Sequence, residues 1–294
     1  MVKIIPPTIP FRGFNNPYHK SHYVIIGYPY DGTTVYRPGS RLAPSYIRKA
    51  STIVDQMSCF SNINVDSIGI HDVGDVEIVY DDLRATMRAL ESIVFQVIKD
   101  KKVPIIMGGE HTALLPIIKA VKKVYNIVNV IIFDAHMDFY LEWPEGSKIT
   151  YATVIRRVYE ELGDDRIFLI GVRAYNEDEI NNLGDCKINV LYMKDLSMKL
   201  EEFIDKLPKE NIYMSVDVDV LDPSVINAVS HPEPGGLTYR EFINIIERIF
   251  RNSRKVIGID IVEYNPLLDL NGNSAYIVTR LIYDIIGFLY KYNH

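Results

Sequence analysis

The sequence predicts a three-layer α/β/α protein built on a mostly parallel sheet. Short apolar runs, rich in valine and isoleucine, alternate along the chain with longer segments of helical periodicity. Strands separated by helices are joined by right-handed crossovers, which place helices on both faces of a parallel sheet. The sequence contains no internal repeat, low-complexity tract or linker. Residues 1–294 are therefore predicted to form one domain.

The alternating pattern predicts the position of each element. The predicted strands span residues 23–27, 67–70, 103–107, 128–133, 167–171, 188–193, 212–216 and 256–262. The predicted helices span residues 44–57, 82–100, 113–124, 151–162, 195–207, 238–250 and 274–290. His71 and Asp72 are predicted to lie in a turn. The segment 221–237 has no regular pattern, and a loop of this length inside a domain is usually functional.

Composition excludes several classes of function. The formal net charge is −6 and there is no Lys/Arg-rich tract, which argues against a nucleic-acid surface. Cys59 and Cys186 stand in no metal or redox spacing, as is typical of a reducing compartment. No apolar run reaches the roughly 18 residues of a membrane helix, and prolines interrupt the N-terminal segment where a signal peptide would be apolar. We expect a cytoplasmic protein without a membrane or nucleic-acid partner.

Acidic and imidazole side chains follow four of the predicted strands. These residues are His111, Asp134, His136, Asp138, Asp217, Asp219 and Glu263. Ligand sites in parallel sheets lie at the carboxyl ends of the strands, so these side chains are predicted to share one crevice. Residues two apart in an extended segment face the same side, which allows Asp134, His136 and Asp138 to converge.

The predicted convergence of four aspartates requires cations. Burying uncompensated carboxylates costs more free energy than a fold can offset. Two divalent ions would neutralise the four charges, with His111 and His136 as neutral ligands. Oxygen-rich ligands with two imidazoles and no thiolate favour Mn²⁺ over structural zinc, with Mg²⁺, Fe²⁺, Co²⁺ and Ni²⁺ as alternatives. A water between two such ions loses a proton near neutral pH, and the hydroxide is the expected nucleophile.

These motifs resemble those of the ureohydrolase family of arginases and agmatinases. The matching segments are GGEHT at 108–112, DAHMD at 134–138, SVDVDVLDP at 215–223, PEPGGLTYRE at 232–241 and VEYNP at 262–266. The N-terminal segments 27–31, 37–41 and 44–48 look similar too, so the resemblance covers nearly the whole chain. It implies an arginase-like fold, two Mn²⁺ per chain, hydrolysis of a guanidinium group to urea and an amine, and a homo-oligomer, commonly a trimer or hexamer.

The resemblance also implies a role for each site residue. By position, the resemblance implies that His111 and Asp138 bind the first ion and that His136 and Asp219 bind the second. Asp134 and Asp217 would bridge the two ions. Asp138 is counted among the catalytic residues as well. Glu263 matches the family glutamate that pairs with the guanidinium, a role that suits a carboxylate.

The substrate is predicted from the loop that follows Asp138. Residues 139–148 resemble the agmatinase loop more than the arginase loop, and the acidic Glu142 and Glu145 would favour an amine tail over a carboxylate. We expect agmatine to be hydrolysed to putrescine and urea by attack of the bridging hydroxide on the guanidinium carbon. Alternatives are another guanidino substrate such as arginine or a guanidino acid, a different hydrolase on the same ions, or a metal-binding relative with little catalysis.

The chain departs from the family pattern at two positions. Agmatinases usually carry a histidine in a Ser-His-Ala/Gly-Thr segment, where this chain has Tyr151. An unperturbed tyrosine has a pKa of about 10, which makes it a poor proton shuttle at neutral pH. Where the family commonly has Gly-Thr-Pro, this chain has His231 within Ser-His-Pro. We therefore expect His231 to take over proton transfer to the departing amine.

Overall fold

The computed structural model describes residues 4–253 and 255–293, which contain a nine-stranded sheet and a separate two-stranded pair. The strands are β1 (Ile4–Ile5), β2 (Tyr23–Gly27), β3 (Met57–Ser58), β4 (Ile63–Asn64), β5 (Ile70–Val76), β6 (Val103–Met107), β7 (Asn129–Phe133), β8 (Ile167–Val172), β9 (Asn189–Tyr192), β10 (Ile212–Asp217) and β11 (Val256–Val262). The helices are α1 (Ala43–Ser51), α2 (Leu83–Lys99), α3 (Leu114–Lys122), α4 (Val154–Leu162), α5 (Glu177–Leu183), α6 (Leu196–Asp205), α7 (Tyr239–Asn252) and α8 (Asn273–Tyr292). In the described ranges, no helix has both the length and the apolar content needed to cross a bilayer.

The order of strands in the large sheet brings four strand ends together. The order is β1-β5-β2-β6-β11-β10-β7-β8-β9, and all neighbours run parallel except β1 and β5. The strands β6, β11, β10 and β7 are therefore adjacent at the centre. These are the strands whose ends carry the candidate site residues. Because parallel strands end at the same edge of a sheet, this order gathers the site.

Side chains of the central strands alternate between two apolar cores. In β2, Tyr23 and Ile25 join one core while Val24 and Ile26 join the other. Helices α1, α6, α7 and α8 contribute to the first core, and α2, α3 and α4 contribute to the second. Strands that are apolar on both faces are typical of a sheet covered by helices on both sides. The predicted three-layer α/β/α fold is confirmed.

Several predicted boundaries differ from the structure. The strand predicted at 67–70 is a short 3-10 turn followed by β5, which runs from Ile70 to Val76. Its buried and half-exposed residues alternate, so no continuous apolar run marks it. The helix predicted at 44–57 ends at Ser51. Helix α5 is absent from the predictions, although Asn176 and Glu179 form a capping box at its start.

The polar residues inside β5 are explained by Arg48 of α1. The guanidinium Nε and Nη2 donate to Asp72 at 2.8 and 2.9 Å, and Nη1 donates to Asp75 at 2.6 Å. The side chains of Arg48 and Asp72 are 4% and 1% exposed. The turn predicted at His71 and Asp72 is therefore wrong, because both residues lie within the strand and Asp72 is paired with a buried cation.

We expect Arg48→Met to lower the free energy of unfolding by about 3–5 kcal/mol, because it leaves the buried Asp72 carboxylate without its cation. The control is Arg88→Met, which removes an exposed partner 3.5 Å from Asp82. Its loss should stay below about 1 kcal/mol. Urea unfolding followed by circular dichroism measures both, and equal losses would contradict the expectation.

Candidate metal centre and active site

Two glycines shape the turn that presents His111 at the end of β6. Gly108 and Gly109 have φ angles of 81° and 75°. A Cβ on Gly109 would lie 2.2 Å from the Tyr28 carbonyl oxygen, so only glycine fits this close approach. The turn leads into a buried 3-10 helix that begins at His111. The main-chain N–H of His111 donates to Glu263 Oε1 at 2.8 Å, which links the ends of β6 and β11.

A first group of ligand atoms surrounds His111 Nδ1. The atom lies 3.0 Å from Asp134 Oδ2, 3.5 Å from Asp138 Oδ2 and 3.7 Å from Asp217 Oδ2. His111 Nδ1 and Asp134 Oδ2 are both buried, and neither makes a hydrogen bond with any described residue. Buried polar atoms normally have a partner, so their shared orientation indicates a position for a bound ion. The atoms of His111, Asp134 and Asp217 lie within 4.8 Å of one another.

A second group lies beside the first and shares Asp134 with it. His136 Nδ1 is 2.9 Å from Asp219 Oδ2 and 3.6 Å from Asp134 Oδ1. The two oxygens of Asp134 therefore face the two imidazoles, which is the arrangement that a bridging carboxylate requires. In both bridging candidates, Oδ1 also accepts the main-chain N–H two residues on: Asp134 from His136 at 2.6 Å and Asp217 from Asp219 at 2.9 Å. The two groups provide carboxylate oxygens and imidazole nitrogens, a mixture that fits a pair of divalent transition ions.

The electrostatics of the cluster also fit a cation. Burial, and then the neighbouring Asp219, raise the pKa of Asp217 well above its ordinary value. Burial followed by the charge of Asp134 raises the pKa of Asp138 to about 7. Burial opposes ionisation of Asp134 too, but the adjacent imidazoles of His111 and His136 lower its pKa to about 2. Acids whose ionisation is opposed by burial and mutual repulsion are stabilised in their charged form by a bound cation.

Two polar residues behind His111 fix which of its nitrogens faces the cluster. Ser215 Oγ donates to Asp260 Oδ1 at 2.7 Å and lies 3.0 Å from His111 Nε2. Because Ser215 donates its hydroxyl proton to Asp260, Ser215 Oγ accepts the proton on His111 Nε2. His111 Nδ1 then keeps its lone pair for a bound ion. Neither residue is among the predicted site residues. The signal available in the sequence is a polar residue inside an otherwise apolar strand, β10 for Ser215 and β11 for Asp260.

A cavity of about 360 Å³ opens above the cluster. It is lined by His136, Asp138, Tyr140, Trp143, Tyr151, Ala152, Ala174, Tyr175, Asn176, Glu179, Asp217, Asp219, Ser230, His231 and Glu263. Five of these residues carry carboxylates, and no described lining residue is a lysine or an arginine.

Glu263, at the end of β11, is 6% exposed with a φ of 67°. Burial, and then the nearby Glu110, raise its pKa well above the ordinary value.

The two residues that depart from the family pattern lie together on the cavity wall. The rings of Tyr151 and His231 stack with centroids 5.3 Å apart and planes 13° apart. The His231 ring also lies 6.1 Å from that of His136, edge to face. Burial, and then the charge of Asp138, raise the pKa of Tyr151 to about 12, so its phenol stays protonated at neutral pH. Burial lowers the pKa of His231, and His136 lowers it further.

The acidic loop residues do not line this cavity. Glu142 and Glu145 line a separate surface depression instead. Glu142 accepts the main-chain N–H of Gly146 at 3.0 Å and lies 3.7 Å from Lys148, so the loop directs its acid outward. The expectation that these two acids face the substrate tail is wrong.

Aromatic residues, two of them from the predicted substrate loop 139–148, occupy the place expected for the loop acids. Tyr140, Trp143 and Tyr175 line the cavity, and the last two are 41% and 42% exposed. Glu179 joins them from α5, where its Oε1 accepts the Phe139 N–H at 3.0 Å. The Asn176–Glu179 capping pattern is the sequence signal that could have located this wall.

Known proteins resemble this chain over most of its length. The agmatinase of Halalkalibacterium halodurans is 31% identical over 271 residues, covering 92% of each chain. The guanidinobutyrase of Pseudomonas aeruginosa is 31% identical over 271 residues, covering 89% of this chain and 84% of that one. The crystal structure of the agmatine ureohydrolase of Thermoplasma volcanium superimposes with a TM-score of 0.86 at 33% identity, covering 94% of this chain and 92% of that one.

A family model agrees with these likenesses. The model described as the arginase family matches residues 21–287, a range that holds every strand end of the cluster and the whole cavity lining. The chain therefore belongs to the arginase family, as a hydrolase that acts on guanidino carbon–nitrogen bonds.

Proposed function

We propose that the protein hydrolyses agmatine to putrescine and urea. The observation that most directly supports an amine-ended tail is the part of the cavity lining beyond the proposed ion ligands and Glu263, where the carboxylate of Glu179 stands and no described lining residue is a lysine or an arginine. Such a lining repels a substrate whose tail ends in a carboxylate and tolerates one whose tail ends in an amine. This argument replaces the one based on Glu142 and Glu145. The agmatinase relative at 31% identity supports the same substrate.

Glu263 is the proposed partner of the substrate guanidinium. A planar cation with paired N–H donors is best held by a carboxylate in a bidentate pair. The main-chain N–H of His111 fixes one oxygen of Glu263 at 2.8 Å and thereby sets the position of the carboxylate beside the first ligand group. Glu263 and Asp138 both line the cavity, so a guanidinium paired with Glu263 would share the cavity with the ligand groups.

Two Mn²⁺ per chain are the proposed cofactor, held by His111, Asp134, His136, Asp138, Asp217 and Asp219. The carboxylate and imidazole donors and the shared Asp134 support this assignment. When bound, such a pair of ions lowers the pKa of a water toward neutrality and so supplies a nucleophile for the guanidinium carbon. Asp138, which reaches both the ligand groups and the cavity, is proposed to hold that water by a hydrogen bond.

His231 is the proposed proton carrier for the departing amine. An amine leaves only when it is protonated, and an imidazole exchanges protons readily near neutral pH. His231 lines the cavity and lies over His136, which supports the role. Tyr151 is proposed to act as a hydrogen-bond donor, because a pKa of about 12 prevents it from cycling its proton at neutral pH.

Aromatic faces are proposed to hold the far end of the substrate. Tyr140, Trp143 and Tyr175 stand on the cavity wall together with the carboxylate of Glu179. An ammonium group is attracted to aromatic faces and to carboxylates, whereas a carboxylate tail is not. A homo-oligomer, trimeric or hexameric, is proposed from the family resemblance.

The first test is urea release from agmatine, arginine, 4-guanidinobutyrate and a neutral alkylguanidine. We expect the highest kcat/KM for agmatine, at least about tenfold above arginine, since the acidic lining repels a carboxylate. The guanidinobutyrase relative makes guanidinobutyrate the most informative competitor. A preference for either acid would overturn the specificity claim. Release of urea from none of the four, with metal bound, would favour a binding relative over an enzyme.

The second test is metal content by inductively coupled plasma mass spectrometry. We expect two Mn²⁺ per chain in the wild type and none in Asp134→Ala, because Asp134 faces both histidines. Asp217→Ala is expected to lose both ions as well, as the second bridging ligand. The matched control is Asp178→Ala, an acid of the neighbouring depression that should keep both ions. A full pair of ions in either ligand variant would contradict the assignment.

The third test separates His231 from Tyr151. We expect His231→Ala to lower kcat by about a hundredfold or more, the usual scale of acid–base catalysis, with unchanged metal content. The control His19→Ala, at an exposed histidine, should keep the wild-type rate. The comparison variant Tyr151→His restores the usual family histidine. Unchanged kcat in His231→Ala, or activity that appears only in Tyr151→His, would show that His231 is not the proton carrier.

A further inference from the structure

One loop contacts both sides of the Tyr151–His231 pair. This loop, residues 31–41, is called the rim loop here and lies within the connection from β2 to α1. One part of it binds the main chain at Tyr151, and another binds the main chain next to His231. The rim loop therefore connects two residues that come from distant parts of the chain.

Arg37 attaches the rim loop to the residues that precede His231. Its guanidinium donates to the Ser230 carbonyl from Nη2 at 2.7 Å and from Nε at 3.1 Å. Nη2 also reaches the Val229 carbonyl at 3.3 Å. In return, Ser230 Oγ donates to the Arg37 carbonyl at 3.0 Å, and Asn265 Nδ2 donates to the same carbonyl at 2.7 Å. Arg37 is thus held by both its side chain and its main chain.

Tyr36 brings the rim loop into contact with the imidazole itself. Its ring centroid lies 5.8 Å from that of His231. The Arg37 guanidinium carbon lies 4.8 Å from the centroid of the same tyrosine ring. His231 therefore has Tyr151 on one side and the rim loop on another.

Thr33 attaches the rim loop to Tyr151. The Thr33 hydroxyl donates to Glu110 Oε1 at 2.6 Å, and Thr33 Oγ1 in turn accepts the main-chain N–H of Tyr151 at 3.1 Å. Glu110 is fully buried and precedes His111 in the chain. It also accepts the main-chain N–H groups of Thr33 and Thr34 at 2.9 and 3.1 Å. A single hydroxyl therefore connects Tyr151 to the segment that carries the first histidine ligand.

We propose that the rim loop positions the Tyr151–His231 pair over the ligand cluster, with Arg37 and Thr33 as its two positioning residues. The proposal rests on the proposed function, because it takes His231 as the proton carrier. Neither residue lines the cavity. Arg37 acts through the main chain that carries His231, and Thr33 acts through the main chain of Tyr151.

A loop histidine needs such support more than a strand-end residue does. His231 lies between Leu221 and Leu237, a segment with no helix or strand among its residues and with isolated bridges only. Catalytic groups must be held within a few tenths of an ångström, and loops hold them less accurately than strands. A displacement of about 1 Å can reduce a rate by about a hundredfold. The two hydrogen bonds from Arg37 to Ser230 restrain the residue next to His231.

The first experiment compares Arg37→Met with Arg88→Met in the full-length, metal-loaded protein. Arg88 lies outside the rim loop, and its side chain is 65% exposed. We expect Arg37→Met to lower kcat for agmatine by about tenfold to a hundredfold with KM within about twofold, because positioning affects the chemical step. Arg88→Met should keep the wild-type kcat. Arg37→Lys, which keeps the charge without the paired donors, should recover only part of the rate.

A double-mutant cycle then tests whether Arg37 acts through His231. In the His231→Ala background, Arg37→Met should have almost no further effect on kcat, since the group it positions is absent. A full, multiplicative loss in that background would overturn the proposal. So would a kcat within twofold of wild type in folded Arg37→Met.

The second experiment tests Thr33 with a matched neighbour. Thr33→Val removes the hydroxyl that accepts the Tyr151 N–H, whereas Thr34→Val removes one that binds Glu110 at 3.2 Å and has no described contact with Tyr151. We expect a loss of about tenfold in kcat for Thr33→Val, little change for Thr34→Val, and recovery in Thr33→Ser. Equal losses in the two valine variants would mean that the Glu110 network serves stability alone and would overturn the role of Thr33.

A readout without turnover separates this proposal from the proposed function. Carbethoxylation by diethyl pyrocarbonate, followed by peptide mass spectrometry, gives the reaction rate of each histidine. We expect the rate at His231 to rise at least threefold in Arg37→Met and to stay unchanged in Arg88→Met, with His19 as an internal reference. If the wild type released no urea while this rise occurred, the proposed function would fail and the positioning role would stand. An unchanged rate at His231 would overturn the positioning role.

Discussion

Repulsion among buried carboxylates is the constraint on which the rest of the structure depends. Asp134, Asp138, Asp217, Asp219 and Glu263 are all buried at the ends of four adjacent strands. No described lysine or arginine lines the cavity above them, so the cluster is compensated only partly by its two histidines. The unfavourable free energy of this repulsion is offset by the two large apolar cores that bury the central strands on both faces. The same uncompensated charge suits the cluster to a cationic cofactor, and Glu263, which is not among the proposed ligands, remains for a cationic substrate.

Polar groups behind the cluster hold its members in place. Ser215 and Asp260 fix the tautomer of His111, and Glu110 holds the turn that precedes it. On the opposite side, Arg173 donates to the carbonyls of Asp219 at 2.8 Å and Glu233 at 2.9 Å. Arg173 thereby joins a ligand segment to the long loop that carries His231. The accuracy of the site comes from these buried contacts as much as from the strands.

The sequence was sufficient to predict the parts of the structure that follow a local pattern of residue types. Continuous apolar runs located β2, β6 and β11 to the residue, and the polar residues after the central strands located the cluster. Side-chain pairings that no pattern of residue types marks defeated the same reasoning elsewhere. Asp72 reads as a turn residue until its partner Arg48 is known. The outward direction of Glu142 depends on contacts within its own loop. The stacking of Tyr151 on His231 joins two loops that no spacing rule relates.

The position of β11 has a consequence for how the protein folds. In the nine-stranded sheet, β1, β5, β2 and β6 form one side, β10, β7, β8 and β9 form the other, and β11 is the only described strand that pairs with both. The hydrogen bond from His111 to Glu263 spans 152 residues of chain. Contacts of such long range form slowly, because a large loop must close before they contribute. The sheet and the cluster are therefore incomplete until β11 pairs with both sides, and a nascent chain has no assembled site until residues 256–263 have been synthesised.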